Sequence, residues 1–169
     1  MPEAKHSISS APYASGDDFR GIFQEEKDSL YQLSFLLTAD REKSEQCFVS
    51  GLEDSLNRNP VFKDWARSWA RRTIIQNAIR AIRPRPTEQN DSSSFDTDDV
   101  TAEVDLAQTA AVLKLEPFER FVYVMSVVEH YSDLDCSLLL GCTRRNVITG
   151  RIRALQQLEM RSTFNYSPN

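Results

Sequence analysis

The stretch that most constrains this chain runs from Tyr131 to Leu158, YSDLDCSLLLGCTRRNVITGRIRALQQL. Leu134, Leu138, Leu139 and Leu140 make its first part apolar, and Gly141-Cys142-Thr143 breaks the pattern. Val147, Ile148, Ile152, Ala154, Leu155 and Leu158 then recur at helical spacing. The stretch reads as two helices joined by a tight turn. Glycine supplies the backbone freedom that a sharp turn needs, and Thr143 is placed to cap the second helix. The other faces of that helix carry Arg144, Arg145, Asn146, Thr149, Arg151 and Arg153. A short helix, a glycine turn and a second helix with a basic, amide-bearing start is the helix-turn-helix pattern. In that motif the second helix enters the major groove, where Arg bonds guanine edges and Asn bonds adenine edges. An ordinary helical hairpin with a solvated basic face has the same local pattern, so the rest of the chain has to decide between the two.

Charge distribution favours the first reading. The chain has 169 residues and a net charge of −5, which argues against a uniformly basic nucleic-acid binder. The charges are segregated. Residues 1–60 hold 6 basic and 11 acidic groups, residues 61–86 hold 7 and 1, residues 87–105 hold none and 7, and residues 106–169 hold 7 and 6. Two basic islands, in 61–86 and 143–153, therefore sit in an otherwise acidic protein. The three cysteines, Cys47, Cys136 and Cys142, form neither a disulfide framework nor a zinc pair. They read as small buried hydrophobes in a reduced compartment. The opening MPEAKHSISSAPYASGDD lacks the apolar core of a signal peptide, and no run approaches the ~18 apolar residues of a membrane span. These features predict a cytoplasmic chain without a membrane span.

Taken in order, residues 1–16 lack periodicity and are expected to be disordered. A first helix is expected to start at Asp17 or Asp18 and run through Leu37, with LYQLSFLL as its most buried part. Asp40 should cap a second helix reaching Leu56, in which Gly51 marks close packing. A third should run from Val61 to Ile82 and end before Pro84 and Pro86. Trp65 and Trp69 share one face of that helix. Arg67 and Arg71 form one basic row, and Arg72, Gln76, Arg80 and Arg83 form another. The tryptophans fit core packing or stacking on an unpaired base; the arginines fit a solvated face or a nucleic-acid backbone. Residues 87–104 are acidic, Ser-rich and nearly free of apolar residues, as a flexible linker should be. They could also fold back on the basic islands and compete with DNA. The second module, 105–160, should hold helices over 105–113 and 117–129, with Pro117 in a first turn, and then the hairpin. Residues 161–169 read as a frayed tail. The expected fold is all-α: two small helical modules, 17–86 and 105–160, joined by the acidic linker.

Several of these stretches resemble bacterial RNA polymerase sigma factors of the extracytoplasmic-function group. LEPFERFVYVMSVVEHYSDLDCSLLLGCTRRNVITGRIRALQQL is similar to that family's C-terminal domain, in its Leu115, Pro117 and Arg120 start, Tyr131-Ser132, the Leu140-Gly141-Cys142 turn, Val147 and Arg153-Ala154. LYQLSFLLTADREKSEQCF resembles the family's first core segment, and VFKDWARSWARRTIIQNAIR its phenylalanine–x–x–tryptophan helix. The resemblance covers residues 19–83 and 106–158. It implies a transcription initiation factor whose partners are promoter DNA and core RNA polymerase, with an anti-sigma factor as a further candidate. Thr143, Arg144, Arg145, Asn146, Thr149 and Arg153 would then read the upstream promoter element as duplex. Trp65, Arg67, Arg71, Arg72, Gln76 and Arg80 would hold the melted downstream element. Polymerase would be gripped at Glu45, Gln46 and Val49.

The chain departs from the family at several of these places. The family's alanine–glutamate–aspartate and following glutamine read Ser44-Glu45-Gln46 and Val49 here. Its asparagine and aspartate on the third helix read Arg72 and Gln76. A common glycine–threonine–valine start to the recognition helix reads Arg145-Asn146-Val147, and a common arginine is Gly150. The departures leave open a second class of function, a sigma-like regulator or adaptor that binds a protein partner or DNA without initiating transcription. A third class, an enzyme, finds no phosphate loop, metal cluster or nucleophile–base pair in the sequence. His6 falls in the disordered start, and His130 precedes a turn where a solvated or capping role is the ordinary one. No catalytic residue, metal or cofactor is expected.

Overall fold

The structure is a computed structural model that describes residues 12–57, 60–86 and 104–164. The expected disorder of residues 1–11, the turn at 58–59, the linker over 87–103 with its fold-back, and the last five residues lie outside that range.

The protein is all-α. Among the described residues there are eight α-helices: α1 (Gly16–Glu25), α2 (Lys27–Thr38), α3 (Arg41–Asn57), α4 (Ala66–Ile82), α5 (Val104–Leu113), α6 (Pro117–Tyr123), α7 (Asp133–Leu140) and α8 (Arg144–Phe164). None of the described helices is long and apolar enough to cross a membrane.

The starts and stops follow from local chemistry. Asp18 N–H donates to Ser15 Oγ at 3.2 Å, and Ser15 N–H donates to Asp18 Oδ2 at 2.7 Å. This is a reciprocal cap, so Ser15 starts α1 and Asp18 supports it. The expected capping role of Asp17 or Asp18 is corrected accordingly. Residues 12–16 are also not disordered. Ala14 N–H donates to Val61 O at 2.7 Å, Lys63 N–H donates to Pro12 O at 3.0 Å, and Tyr13 and Phe62 pair as an isolated antiparallel bridge. The expected single helix over 17–37 is interrupted at Glu26, where ψ is 18°. No glycine or proline marks that break in the sequence. As expected, Asp40 caps α3, accepting from Lys43 N–H at 2.9 Å. The third helix begins with a 3₁₀ turn over Lys63–Trp65, so α4 proper starts five residues later than Val61. At the C-terminus α8 continues to Phe164, past the expected end of the hairpin and into the segment read as a tail.

Helices α2, α3 and α4 pack together with α1 along their side, and α8 packs on α6 and α7. Leu30, Leu37, Ile74 and Ile75 are fully buried in the first group, and Phe121, Val122, Val124, Met125 and Val147 in the second. Each such side chain contributes roughly 1.5–3 kcal/mol by leaving water. Gly51 sits where a Cβ would lie 2.6 Å from Ile74 Cδ1, which gives the close helix approach its physical cause. Helix α2 joins the groups by touching α5 and α6. Arg120, buried on α6, donates from Nε to Leu37 O at 3.1 Å and from Nη1 to Leu115 O at 3.0 Å. It thus occupies the carbonyl ends of α2 and of the α5–α6 turn, groups that a helix terminus leaves without intrahelical partners.

Candidate nucleic-acid interface

The α7–α8 turn is built as its residues demand. Gly141 adopts φ 64°, ending α7 in the left-handed conformation. Asn146 N–H donates to Thr143 Oγ1 at 3.1 Å, and Thr143 N–H donates to Asn146 Oδ1 at 3.1 Å. The Thr143 hydroxyl also donates to Asn146 Oδ1. Thr143 and Asn146 form a reciprocal cap at the start of α8. Asn146 is therefore held by its own helix start, with its side-chain oxygen occupied. Arg144 and Arg145 are exposed and make no hydrogen bond or ion pair among the described residues. Arg145, Asn146, Thr149 and Arg153 line a shallow hollow with Phe118 and Pro86. Arg153 is half-buried and lies 3.8 Å from Glu119 of α6. The structure thus brings four of the six expected upstream residues to one side of α8 and leaves Arg144 and Arg145 as its most available cations.

Only half of the apolar stripe that spacing predicts for α8 faces inward: Val147, Ala154 and Leu158 pack on the core. Val147, Gly150 and Ala154 are buried, whereas Ile148, Ile152 and Leu155 are 42%, 50% and 40% exposed. The cause is the close approach of α6. A Cβ on Gly150 would meet Phe118 Cε1 at 2.9 Å, so the helix turns its small residues inward. Arg151 donates to Asp133 Oδ1 at 2.5 Å and ties α8 to α7. That bond holds the Asp133 carboxyl below its ordinary range.

The second group of expected residues is divided by its partners. Arg67 is paired with Glu26 and, at 2.7 Å, with Glu25. Arg71 is paired with Glu129, at 2.6 Å from Nε and 2.5 Å from Nη2, and bonds Ser29 Oγ at 3.0 Å. Arg80 is paired with Asp54 at 2.5 Å. Arg72 and Gln76 are half-buried and make no bond among the described residues. A π-helical turn over Val124–Val128 and a left-handed His130, φ 57°, carry Glu129 toward Arg71. Such turns are frequent at functional positions.

Trp65 and Trp69 have separate environments. Trp65 is 64% exposed, so core packing does not account for it, while Trp69 packs against the core. Trp65 stands at the end of an exposed aromatic row. Its ring meets Phe62 edge to face at 5.5 Å, and Phe62 stacks on Tyr13 at 4.9 Å. Tyr13 and Phe62 were not among the residues predicted for this surface. The phenylalanine–x–x–tryptophan spacing pointed at Phe62, but nothing local linked Tyr13 to it.

On the far side, Glu45 joins Lys27, Asp28, Tyr31, Phe35 and Arg41 in an open groove over α2 and α3. Gln46 and Val49 are exposed on α3 without lining it. Ser44 faces inward, hydrogen-bonded to Thr38 and Asp40. Among the described residues no cluster of His, Cys, Asp and Glu is arranged to hold a metal. No protein-family model matches the chain, and no curated protein matches it.

Proposed function

We propose that this chain is a sigma-factor-like transcription initiation factor of the cytoplasm, binding promoter DNA and recruiting core RNA polymerase. The observation that carries the reading is the start of α8. A glycine turn and a Thr143–Asn146 cap present Arg144 and Arg145 to solvent, without partners among the described residues. That is the arrangement a groove-entering helix needs to reach phosphates and guanine edges. The row Tyr13–Phe62–Trp65 supplies a second surface. Exposed aromatics stack unpaired bases without reading sequence, as a melted downstream element requires. Polymerase would meet the groove that contains Glu45, with Gln46 and Val49 at its side. The chain acts by binding in this reading, not as an enzyme.

The test is reconstitution with bacterial core RNA polymerase followed by size-exclusion chromatography, then transcription from selected promoters. Co-elution and promoter-dependent transcripts are expected. Separate elution at both low and moderate salt would overturn polymerase recruitment.

One observation favours a second reading, a sigma-like adaptor that binds a protein, such as an anti-sigma factor, or DNA without initiating transcription. Ile148, Ile152 and Leu155 lie exposed along the helix that would enter the groove. Apolar side chains at that density suit a protein surface better than base edges, where only the thymine methyl is apolar.

A further inference from the structure

We infer that the outer face of α8 is a self-association surface, on which α8 of a second copy of this chain lies antiparallel.

The face is a single row. Arg145, Ile148, Ile152, Leu155 and Glu159 follow one another at steps of three, four, three and four residues. That spacing keeps one line of an α-helix against a partner helix. Helix α8 is continuous over all five positions, and all five are exposed. Val147, Gly150 and Ala154 of the same helix are buried on a different side, turned toward α6. The row is therefore left outside once the hairpin has packed. Its length is about 21 Å at the helical rise per residue. Single exposed aliphatic residues are ordinary on a protein surface, but these three form a continuous seam.

The order of chemistry along the row selects the occupant. A cation stands at its N-terminal end, three apolar side chains fill its middle, and an anion stands at its C-terminal end. Arg145 and Glu159 each lie seven residues from Ile152, about 10 Å along the helix. Laid antiparallel about a two-fold axis at Ile152, the row meets its own complement. Ile152 faces Ile152 of the second copy, Ile148 falls beside Leu155 of the second copy, and Arg145 falls beside Glu159 of the second copy. A parallel pair would set Arg145 on Arg145 and Glu159 on Glu159. A two-fold interface needs this self-complementarity, because one patch serves both sides. The row offers a duplex little, since aliphatic side chains carry no hydrogen-bonding group for base edges.

The seam is short, which places it at the small, transient end of protein interfaces. Association is therefore reversible and depends on concentration. Arg145 also belongs to the surface proposed to meet duplex DNA, and on that reading the pair withholds the start of α8 from DNA. Self-association itself does not rest on that reading and is measured without DNA or polymerase, so either can fail alone.

The test is sedimentation equilibrium of the full chain from micromolar to millimolar concentration. The mean mass should rise from that of the monomer toward twice that value. Ile152→Glu puts two carboxylates on the axis and should raise the dissociation constant at least about tenfold, because like charges are forced together. Its melting temperature should stay near the parent's, since the position is exposed. If it melts early, Ile152→Ser takes its place. Arg145→Glu and Glu159→Arg should each weaken association roughly threefold, the scale of exposed ion pairs. The two together should restore it, because opposite charges again meet at each end. A monomer at every concentration would overturn the inference and leave the row to a different protein. So would a dimer that the folded Ile152 variant leaves intact, and so would charge exchanges whose losses are absent or are not recovered in the double variant.

Discussion

Arg71 of α4 and Glu129, at the exit of the π-helical turn, hold each other through two charge-assisted hydrogen bonds across 58 residues of sequence. The Glu129 side chain is 6% exposed, and Arg71 is one of the four arginines expected on a melted strand. In this arrangement it reaches a phosphate only by leaving Glu129. Joining of the helical groups and use of Arg71 on nucleic acid are therefore alternatives.

Removing one partner of such a pair leaves the other charge in a site built for two. Arg71→Ala should lower unfolding stability by about 3 kcal/mol, the scale for stranding a buried charge. Glu129→Gln should lower it less, and the double variant should recover part of the loss. Urea melts of the four proteins give the coupling directly. A coupling near zero would mean that Arg120 and the apolar packing of α2 on α6 hold the groups together without the pair.

Helix packing at Gly51 can be tested in the same manner. Gly51→Ala gains roughly 1 kcal/mol of helix propensity. It also drives a Cβ to within 2.6 Å of Ile74 Cδ1 in a fully buried site. Overpacking costs about 1–3 kcal/mol, so the variant should be less stable on balance. Ile74→Val removes the clashing carbon and costs about 0.5–1.5 kcal/mol alone. The double variant should be more stable than the two single losses summed. Strict additivity in thermal melts would show that α3 and α4 separate to accept the methyl group.

Local signals were legible in the sequence, and long-range partners were not. The Gly141 turn, the Thr143 and Asp40 caps, Pro117 at a helix start and the close packing at Gly51 each depend on a few adjacent residues, and each was read correctly. The all-α class followed from the same signals. The α8 stripe was misread because spacing fixes which residues share a face, while the neighbouring helix fixes how wide the buried face is. Phe118 against Gly150 set Val147, Gly150 and Ala154 inward, with Leu158 packed on the core beyond them, and left Ile148, Ile152 and Leu155 exposed. The break at Glu26 carries no breaker residue. The pairs Arg71–Glu129 and Tyr13–Phe62 join distant segments, and nothing in either segment names the other. Among the arginines expected to meet nucleic acid, which ones are already paired could only come from three dimensions.

Glu119 gives a dependence on pH. It is 3% exposed, its Oε2 has no partner among the described residues, and Arg153 lies 3.8 Å from Oε1. Burial pushes its carboxyl above the ordinary range against the weaker pull of Arg153. A folded value above the unfolded one means that the folded state holds the proton more tightly. Its contribution is fully present below the unfolded value of about 4.3 and is lost as pH rises through the folded value. Glu119→Gln cannot ionise. Relative to the parent it should gain about 1 kcal/mol at neutral pH, or about 2–4 °C in melting temperature. The gain should shrink toward zero at pH ~4, near the ordinary carboxylate value. A gain independent of pH, or a loss at neutral pH, would show that the attraction to Arg153 outweighs burial.

The start of α8 separates binding from folding. Arg144 and Arg145 are exposed and unpaired among the described residues, so replacing both with Ala should leave the melting temperature within about 1–2 °C, as surface changes do. If they meet phosphates, the double variant should bind duplex DNA more weakly, and its log affinity against log salt should flatten by about 0.9 for each phosphate no longer neutralised. Asn146→Ala should behave oppositely. Its side chain completes the cap with Thr143, so stability should fall by about 1 kcal/mol. Duplex binding by the folded fraction should keep its salt slope, because an amide releases no counterion. Filter binding over a salt series, run beside thermal melts, distinguishes the two. An unchanged slope in the arginine variant would remove the start of α8 from the DNA interface. The exposed Ile148, Ile152 and Leu155 would then define that helix as a protein-binding surface.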